Sequence, residues 1–216
     1  MIIVPLAFVL GIVAIFLYFQ LKSKPAPQPQ PTTTSQSTPT PAPVTKATPT
    51  TDETASWKTY KDPNYNFTFK YPNETGLAKT TLYSMLSKSE SSGLEISPPR
   101  IEPFDNWYSF GLVVKDNPQN TDANTIINNY MEEIKKDCTP PACDVPKKIT
   151  DTLKPYKNGE IDGYIFNFGA ETNSRMVVSA KNNKTYIFRM TGDNGQVTDF
   201  GLKVLDQILS RFKFTK

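Results

Sequence analysis

An uncharged apolar run from Ile2 to Leu21 is followed at once by a proline- and threonine-rich tract, and that junction limits where a folded body can lie. About 14 of the first 21 residues are Ile, Leu, Val or Phe, together worth roughly −6 kcal/mol of insertion free energy before Pro5, Gly11 and Gln20 are counted against them. Twenty helical residues span about 30 Å, the thickness of a bilayer's hydrocarbon core. Residues 1–22 are therefore expected to form a transmembrane signal-anchor helix. A cleaved secretory signal has a shorter apolar core, basic residues before it and small residues at the cut. Here no Lys or Arg precedes the run, and Tyr18-Phe19-Gln20-Leu21 is bulky.

The next stretch, residues 23–56, reads as a disordered linker. Pro25-Ala-Pro-Gln-Pro-Gln-Pro31 alternates proline with small or polar residues, and Val44 is the largest aliphatic that follows. Such a segment cannot bury enough apolar area to offset the entropy of ordering it. Its reach lies between roughly 30 Å as a coil and roughly 100 Å when extended. Lys22 and Lys24 flank the C-terminal end of the apolar run and, by the positive-inside rule, favour a cytoplasmic domain. The linker composition and a cysteine pair favour the other side. The reading taken is a single-pass cell-membrane protein with an extracytoplasmic C-terminal domain.

Composition turns globular at Trp57, so residues 57–216 are expected to be one α+β domain. Alternation with period two marks strands at Phe67-Phe69-Tyr71, Tyr108-Phe110-Leu112-Val114, Tyr164-Phe166-Phe168 and Tyr186-Phe188-Met190. Short turn-rich stretches such as Lys181-Asn-Asn-Lys184 imply antiparallel neighbours. Two helices are predicted. One runs over 122–136 with Ile126, Ile127, Tyr130 and Ile134 inward and Thr121 or Asp122 as N-cap. The other runs over 198–212 with Phe200, Val204, Leu205, Ile208 and Leu209 inward, before a short strand at Phe212-Lys-Phe214.

The segment Tyr60-Lys-Asp62-Pro-Asn-Tyr65-Asn-Phe67-Thr-Phe69-Lys-Tyr71-Pro72 resembles the opening of PsbP-like domains. The ending is similar too: a Tyr-rich strand from Lys184 to Thr191, a helix, then Ile208-Leu-Ser-Arg-Phe-Lys-Phe214. The resemblance implies a central antiparallel sheet flanked by helices, a layered α/β/α sandwich. It also implies an accessory role, since PsbP proteins assist the oxygen-evolving complex. Asn66 stands where the family has glycine, and asparagine tolerates positive φ. No tryptophan follows Tyr71-Pro72, where the family often has one.

Net charge is +3, and no basic run is long enough to track phosphates, so nucleic acid is not an expected partner. The chain has no histidine, which removes every His-dependent triad and the commonest metal ligand. Cys138 and Cys143, bent toward each other by Pro140 and Pro141, are expected to form a disulfide that stabilises by about 2 kcal/mol. A redox dithiol normally has two intervening residues and sits at a helix N-terminus. Glu132 and Glu133 cannot face each other on a helix. Glu160 and Asp162 alternate on a presumed strand and read as solvated surface. Asp193-Asn194-Gly195 with Asp199 lacks the ligand count of a calcium loop and reads as a turn. Asn66-Phe-Thr68, Asn73-Glu-Thr75 and Asn183-Lys-Thr185 are acceptor-like triplets of the kind chance supplies. Trp57, Trp107 and Tyr108 are candidates for a binding face, although most such aromatics belong to cores. No catalytic, cofactor-binding or metal-binding residue is expected. The functional expectation is a membrane-anchored, non-enzymatic binding module for an envelope protein or glycan. The alternatives are an accessory or assembly factor for a membrane complex and a carboxylate-dependent hydrolase.

Overall fold

A computed structural model describes residues 52–83, 86, 90–100 and 106–215. The expected anchor over 1–22, and the linker up to residue 51, lie outside the described residues. Among the described residues no helix is long and apolar enough to cross a membrane.

Residues 52–56, placed in the linker by composition, make polar contacts with the folded body. Thr54 is buried, and its hydroxyl accepts from Arg211 Nε at 3.0 Å. Arg211 also donates to Asp52 Oδ1 at 2.7 Å, and Lys203 pairs with Glu53 at 2.8 Å. These polar residues look like linker in composition, yet they are held by cations from the far end of the chain.

The elements run in the order β1 (Lys58–Asp62), β2 (Phe67–Tyr71), β3 (Gly76–Tyr83), β4 (Glu90–Ser97), β5 (Tyr108–Asp116), α1 (Ala123–Asp137), α2 (Asp144–Thr152), β6 (Lys154–Asn158), β7 (Ile161–Phe168), β8 (Ser174–Lys181), β9 (Lys184–Gly192), α3 (Asp199–Ser210) and β10 (Lys213–Phe214). Seven strands form one antiparallel sheet in the order β3-β4-β5-β9-β8-β7-β6. The other three form a small sheet, β1-β2-β10. The fold is thus α+β and antiparallel with helices on both faces, but it holds two sheets where one central sheet was expected. The Tyr60 to Pro72 segment builds the small one, closed by the C-terminal strand β10 pairing Phe214 with Phe67.

Alternation along each strand sends side chains to two cores. On one face, Phe110, Leu112, Val177, Phe188 and Met190 pack with Phe67 and Phe69 of the small sheet and with Val204, Leu205, Ile208 and Leu209 of α3. Phe212 sits at the centre, with the rings of Phe67, Phe188 and Phe214 at 5.0, 5.3 and 5.2 Å. On the other face, Val113, Met176, Val178 and Ile187 pack with Ile127 and Met131 of α1 and Val145 and Ile149 of α2.

Local chemistry explains most element ends. Asp122 caps α1, its carboxylate accepting from Thr125 N at 3.0 Å. Thr198 caps α3 by accepting from Gly201 N at 3.1 Å. Asn182 and Asn183 both take positive φ, 54° and 57°, as a two-residue hairpin turn between β8 and β9 requires. Asn66 has φ 52°, so the departure from glycine at that turn is absorbed by asparagine.

Three expectations fail in detail. Phe200 is not inward: it is 41% exposed on the first turn of α3. On α1, Ile126, Tyr130 and Ile134 are only half-buried, while Met131 is buried at a position the sequence reading passed over. The whole of α2 was missed. Its signals were Pro146, tolerated in a first helical turn, and the Val145–Ile149 spacing. Both stand beside a proline-rich bend that reads as a turn.

Candidate functional site

Beyond the reach of the small sheet, the face of the large sheet on which the small sheet packs is left open at β3, β4 and β5. A groove of about 390 Å³ lies there. Its floor is Leu94, Leu112 and Val114, with Phe67 behind them. Strand register explains the outer wall, because Lys79 lies opposite Leu94 and Thr81 opposite Ser92. All four share one face, so an amine and two hydroxyls stand over the apolar floor. The inner wall is the β1–β2 turn, with Asp62, Asn64 and Tyr65.

That turn is held by Asp62, which is buried. Its Oδ1 accepts from the backbone N–H groups of Asn64 and Tyr65, both at 2.8 Å. Its Oδ2 accepts from the Tyr60 hydroxyl at 2.9 Å. Both oxygens are therefore engaged in shaping the rim. Burial, reinforced by the Asp62 hydrogen bond, pushes the Tyr60 phenol up to about 12. Tyr65 is 37% exposed, with Lys184 Nζ 5.3 Å from its ring centre. The groove thus offers an aromatic edge, hydroxyls and one amine. Among the described residues its single carboxylate, Asp62, is directed into the turn.

A second cleft, about 280 Å³, lies between α1 and the β5/β9 pair and includes Lys115, Asn117, Tyr130 and Glu133. Burial lowers the Lys115 pKa. Asn117 closes its own loop there, donating to Thr121 O at 2.8 Å and accepting from Thr121 N at 2.9 Å.

Of the residues singled out from the sequence, Glu160 and Asp162 line one recess of about 370 Å³ with Lys157 and Lys181, and the others fall in separate places. Cys138 and Cys143 are joined as a disulfide with Cα atoms 5.2 Å apart. Cys138 ends α1 and Cys143 sits at the N-cap of α2, so the bridge ties two helices and does not merely follow one. The Pro140–Pro141 bond is cis. Glu132 is exposed and pairs with Lys135 at 2.7 Å. Glu160 is in the β6–β7 turn, not on a strand. It accepts from Phe214 N at 3.0 Å, with Lys213 at 3.5 Å and Lys181 at 3.9 Å. The Phe214 hydrogen bond, more than the two lysines, holds its pKa below the usual carboxylate range. Asp162 is exposed near Lys157 at 3.7 Å.

Asp193, Asn194 and Gly195 form a short 3₁₀ turn ahead of α3, with Asn194 at φ 51° and Gly195 at φ 74°. Asp193 pairs with Arg100 and lines no metal cluster among the described residues. Asn66, Asn73 and Asn183 are exposed. Trp57 packs half-buried against the core and Tyr108 is buried within it. Trp107 is half-buried under the Arg100 guanidinium, 5.0 Å from its ring centre. None of these three aromatics lines the groove. Its lining comes from β1–β2, β3, β4 and β5, and only Asp62, Asn64, Tyr65, Phe67, Leu112 and Val114 had been placed in named motifs or strands. No local signal marks Lys79, Thr81 or Ser92.

Fold and groove together define a layered antiparallel α+β domain with an open recess of mixed polarity. No family model and no curated protein matches the chain. Among solved structures it is similar to the solution structure of cyanobacterial PsbP (CyanoP) from Synechocystis, at 13% identity and a TM-score of 0.45, over 74% of this chain and 93% of that one. It is also similar to a crystal structure from Bacteroides thetaiotaomicron, at 13% identity and a TM-score of 0.42, over 74% of this chain. The match spans about half, 49%, of the length of the Bacteroides protein. These are likenesses of architecture, and no residue role is carried over from them.

Proposed function

We propose that this domain is a non-catalytic binding module, and that the groove between the β1–β2 turn and the β3–β5 strands holds its partner, an envelope protein or glycan. In the same proposal residues 1–22 anchor the chain in the cell membrane, the linker spaces the domain from the bilayer, and the domain faces outward. The observation that carries the reading is the groove's chemistry. Apolar floor, hydroxyls, one lysine and an aromatic rim suit recognition, while its only carboxylate, Asp62, has both oxygens committed to the turn. Acid–base work needs a titratable group free to meet a substrate. The accessory role implied by the PsbP-like resemblance is the same proposal with a membrane-complex subunit as partner. The hydrolase alternative is the weaker one, since Glu160 and Asp162, although they line one recess, each stand beside lysines there.

A photo-crosslinker placed at Thr81 or Tyr65 in intact cells tests the binding reading, with Lys147 on the exposed side of α2 as control. One adduct common to both groove positions and missing at the control supports it. Adducts of equal yield at all three positions, or none at the groove, refute it. Protease shaving of intact cells with thiol labelling tests the location: loss of the domain is expected, and its survival defeats the outward placement.

A further inference from the structure

Both sheets are open, so each ends in two edge strands: β1 and β10 in the small sheet, β3 and β6 in the large one. An edge strand presents N–H and C=O groups without ladder partners, and proteins guard such edges with short strands, lysines and proline. Three of these four edges are guarded. β10 has two residues. β1 has five, of which two are Lys58 and Lys61, and Pro63 follows it. β6 carries Lys154, Pro155 and Lys157. From β6, Tyr156 and Asn158 also donate to Asp206 of α3, at 2.8 and 2.9 Å.

The fourth edge differs. β3 runs for eight residues without proline, and among the described strands it pairs with β4 alone. The register from Gly76–Ser97 to Tyr83–Glu90 is unbroken, so no bulge bends this edge away. Lys79 is its one charge. Ala78 is exposed on one face, and Lys79 and Thr81 are exposed on the other. Those last two also form the outer wall of the groove. Among the described residues the Lys79 amine meets no carboxylate, whereas Lys184, beside Tyr65 on the inner wall, is paired with Asp116.

We infer that β3 is a docking edge, and that an extended segment of a partner protein adds to it as a further strand, with an acidic side chain set against Lys79. The inference narrows the groove reading to a protein partner and rests on that reading. Main-chain hydrogen bonds along β3 supply affinity, and side chains on the groove face, about 4.8 Å from the β3 backbone, set the register. Lys79 selects the occupant. Opposite charges on neighbouring strands attract across one face, and like charges repel. Two copies of this chain pairing β3 to β3 near mid-strand would place each Lys79 opposite or diagonal to the other on one face. That disfavours a second copy and favours an acidic segment.

The test titrates the full-length chain in detergent with a capped heptapeptide and follows the amide signals of residues 76–83 by NMR. The peptide has threonine at its odd positions, valine at the second and sixth, and glutamate at the fourth. Saturable shifts along β3 are expected, with a Kd of about 1 mM or tighter. Two further peptides are N-methylated, one at the odd and one at the even positions. A strand on one edge turns only every second N–H toward its neighbour, so one of the two should lose at least about tenfold in affinity and the other should keep it. Glutamine in place of the glutamate should weaken binding about two- to fivefold, and Lys79→Gln should erase that difference without moving the melting midpoint. Chitotetraose, the glycan probe, should leave the β3 amides unmoved. The inference is overturned by no saturable shift on β3, by equal behaviour of the two methylated peptides, or by a glutamate preference that survives in Lys79→Gln. A dimer of the chain whose contacts map to β3 overturns it as well. If chitotetraose shifts Thr81, Ser92 and Leu94 while the peptide shifts nothing, the strand inference falls and the groove reading stands.

Discussion

Replacing Asp62 by alanine should loosen the groove's rim and destabilise the domain by about 3 kcal/mol. The carboxylate accepts three hydrogen bonds, from Tyr60 Oη and from the backbone N–H groups of Asn64 and Tyr65. Each hydrogen bond to a charged group contributes about 1.5–3 kcal/mol net, but the turn is exposed and water replaces the two backbone partners, so about 1 kcal/mol for each of the three is the working figure. For a domain of this size, unfolding entropy near the midpoint is roughly 0.35 kcal/mol per kelvin, so the expected loss is about 8 °C in Tm. Asp62→Asn keeps an acceptor for the backbone pair and should cost about a third as much. The assay is urea unfolding of both variants, joined to a spectrophotometric titration of tyrosine. Because the Tyr60 pKa is raised to about 12 in the folded state, its contribution is fully present below the unfolded value of 10 and is lost as pH rises from 10 toward 12. In Asp62→Ala that tyrosine should titrate earlier, and the pH dependence between 10 and 12 should flatten. A loss under about 0.5 kcal/mol, or an unchanged Tyr60 titration, would refute the claim that Asp62 organises this turn.

Phe212→Ala should cost about 3–5 kcal/mol in urea unfolding, because the ring is fully buried among those of Phe67, Phe188 and Phe214, whereas Phe200→Ala, at an exposed ring, should cost under about 1 kcal/mol. Serine at both Cys138 and Cys143 should lower stability by about 2 kcal/mol, and reduction of the wild type by dithiothreitol should reproduce the loss. Glu160→Gln should destabilise at neutral pH, and the difference from wild type should vanish in acid. The folded pKa lies below the ordinary glutamate value of 4.5, so the carboxylate's contribution is present above 4.5 and is lost as pH falls through the folded value. A melting curve pair at pH 7 and pH 3 checks this.

Local chemistry marked half of the β8–β9 hairpin, since alternation names β9 and the two asparagines supply the turn's positive φ, whereas β8, buried on both faces over Met176–Ser179, has no alternation and was not read as a strand. It likewise determined α1 and α3, whose caps Asp122 and Thr198 and apolar spacing are all within a few residues of one another. The Cys138–Cys143 pairing was legible for the same reason: only five positions separate the two sulfurs. Tertiary structure decided the rest. Phe67 and Phe69 alternate like any half-buried strand, and nothing near them says that Phe67 pairs with Phe214 at the chain's end and not with the large sheet. Phe200 has the spacing of an inward residue, but at the first turn of α3 its ring, 5.9 Å from that of Tyr108 at the end of β5, stays 41% exposed. The groove joins Asp62 and Tyr65 to Thr81, Ser92 and Leu112. Periodicity says which residues share a face of one strand. Which strands lie side by side depends on how all the apolar faces are buried together, and that information is spread over the whole chain.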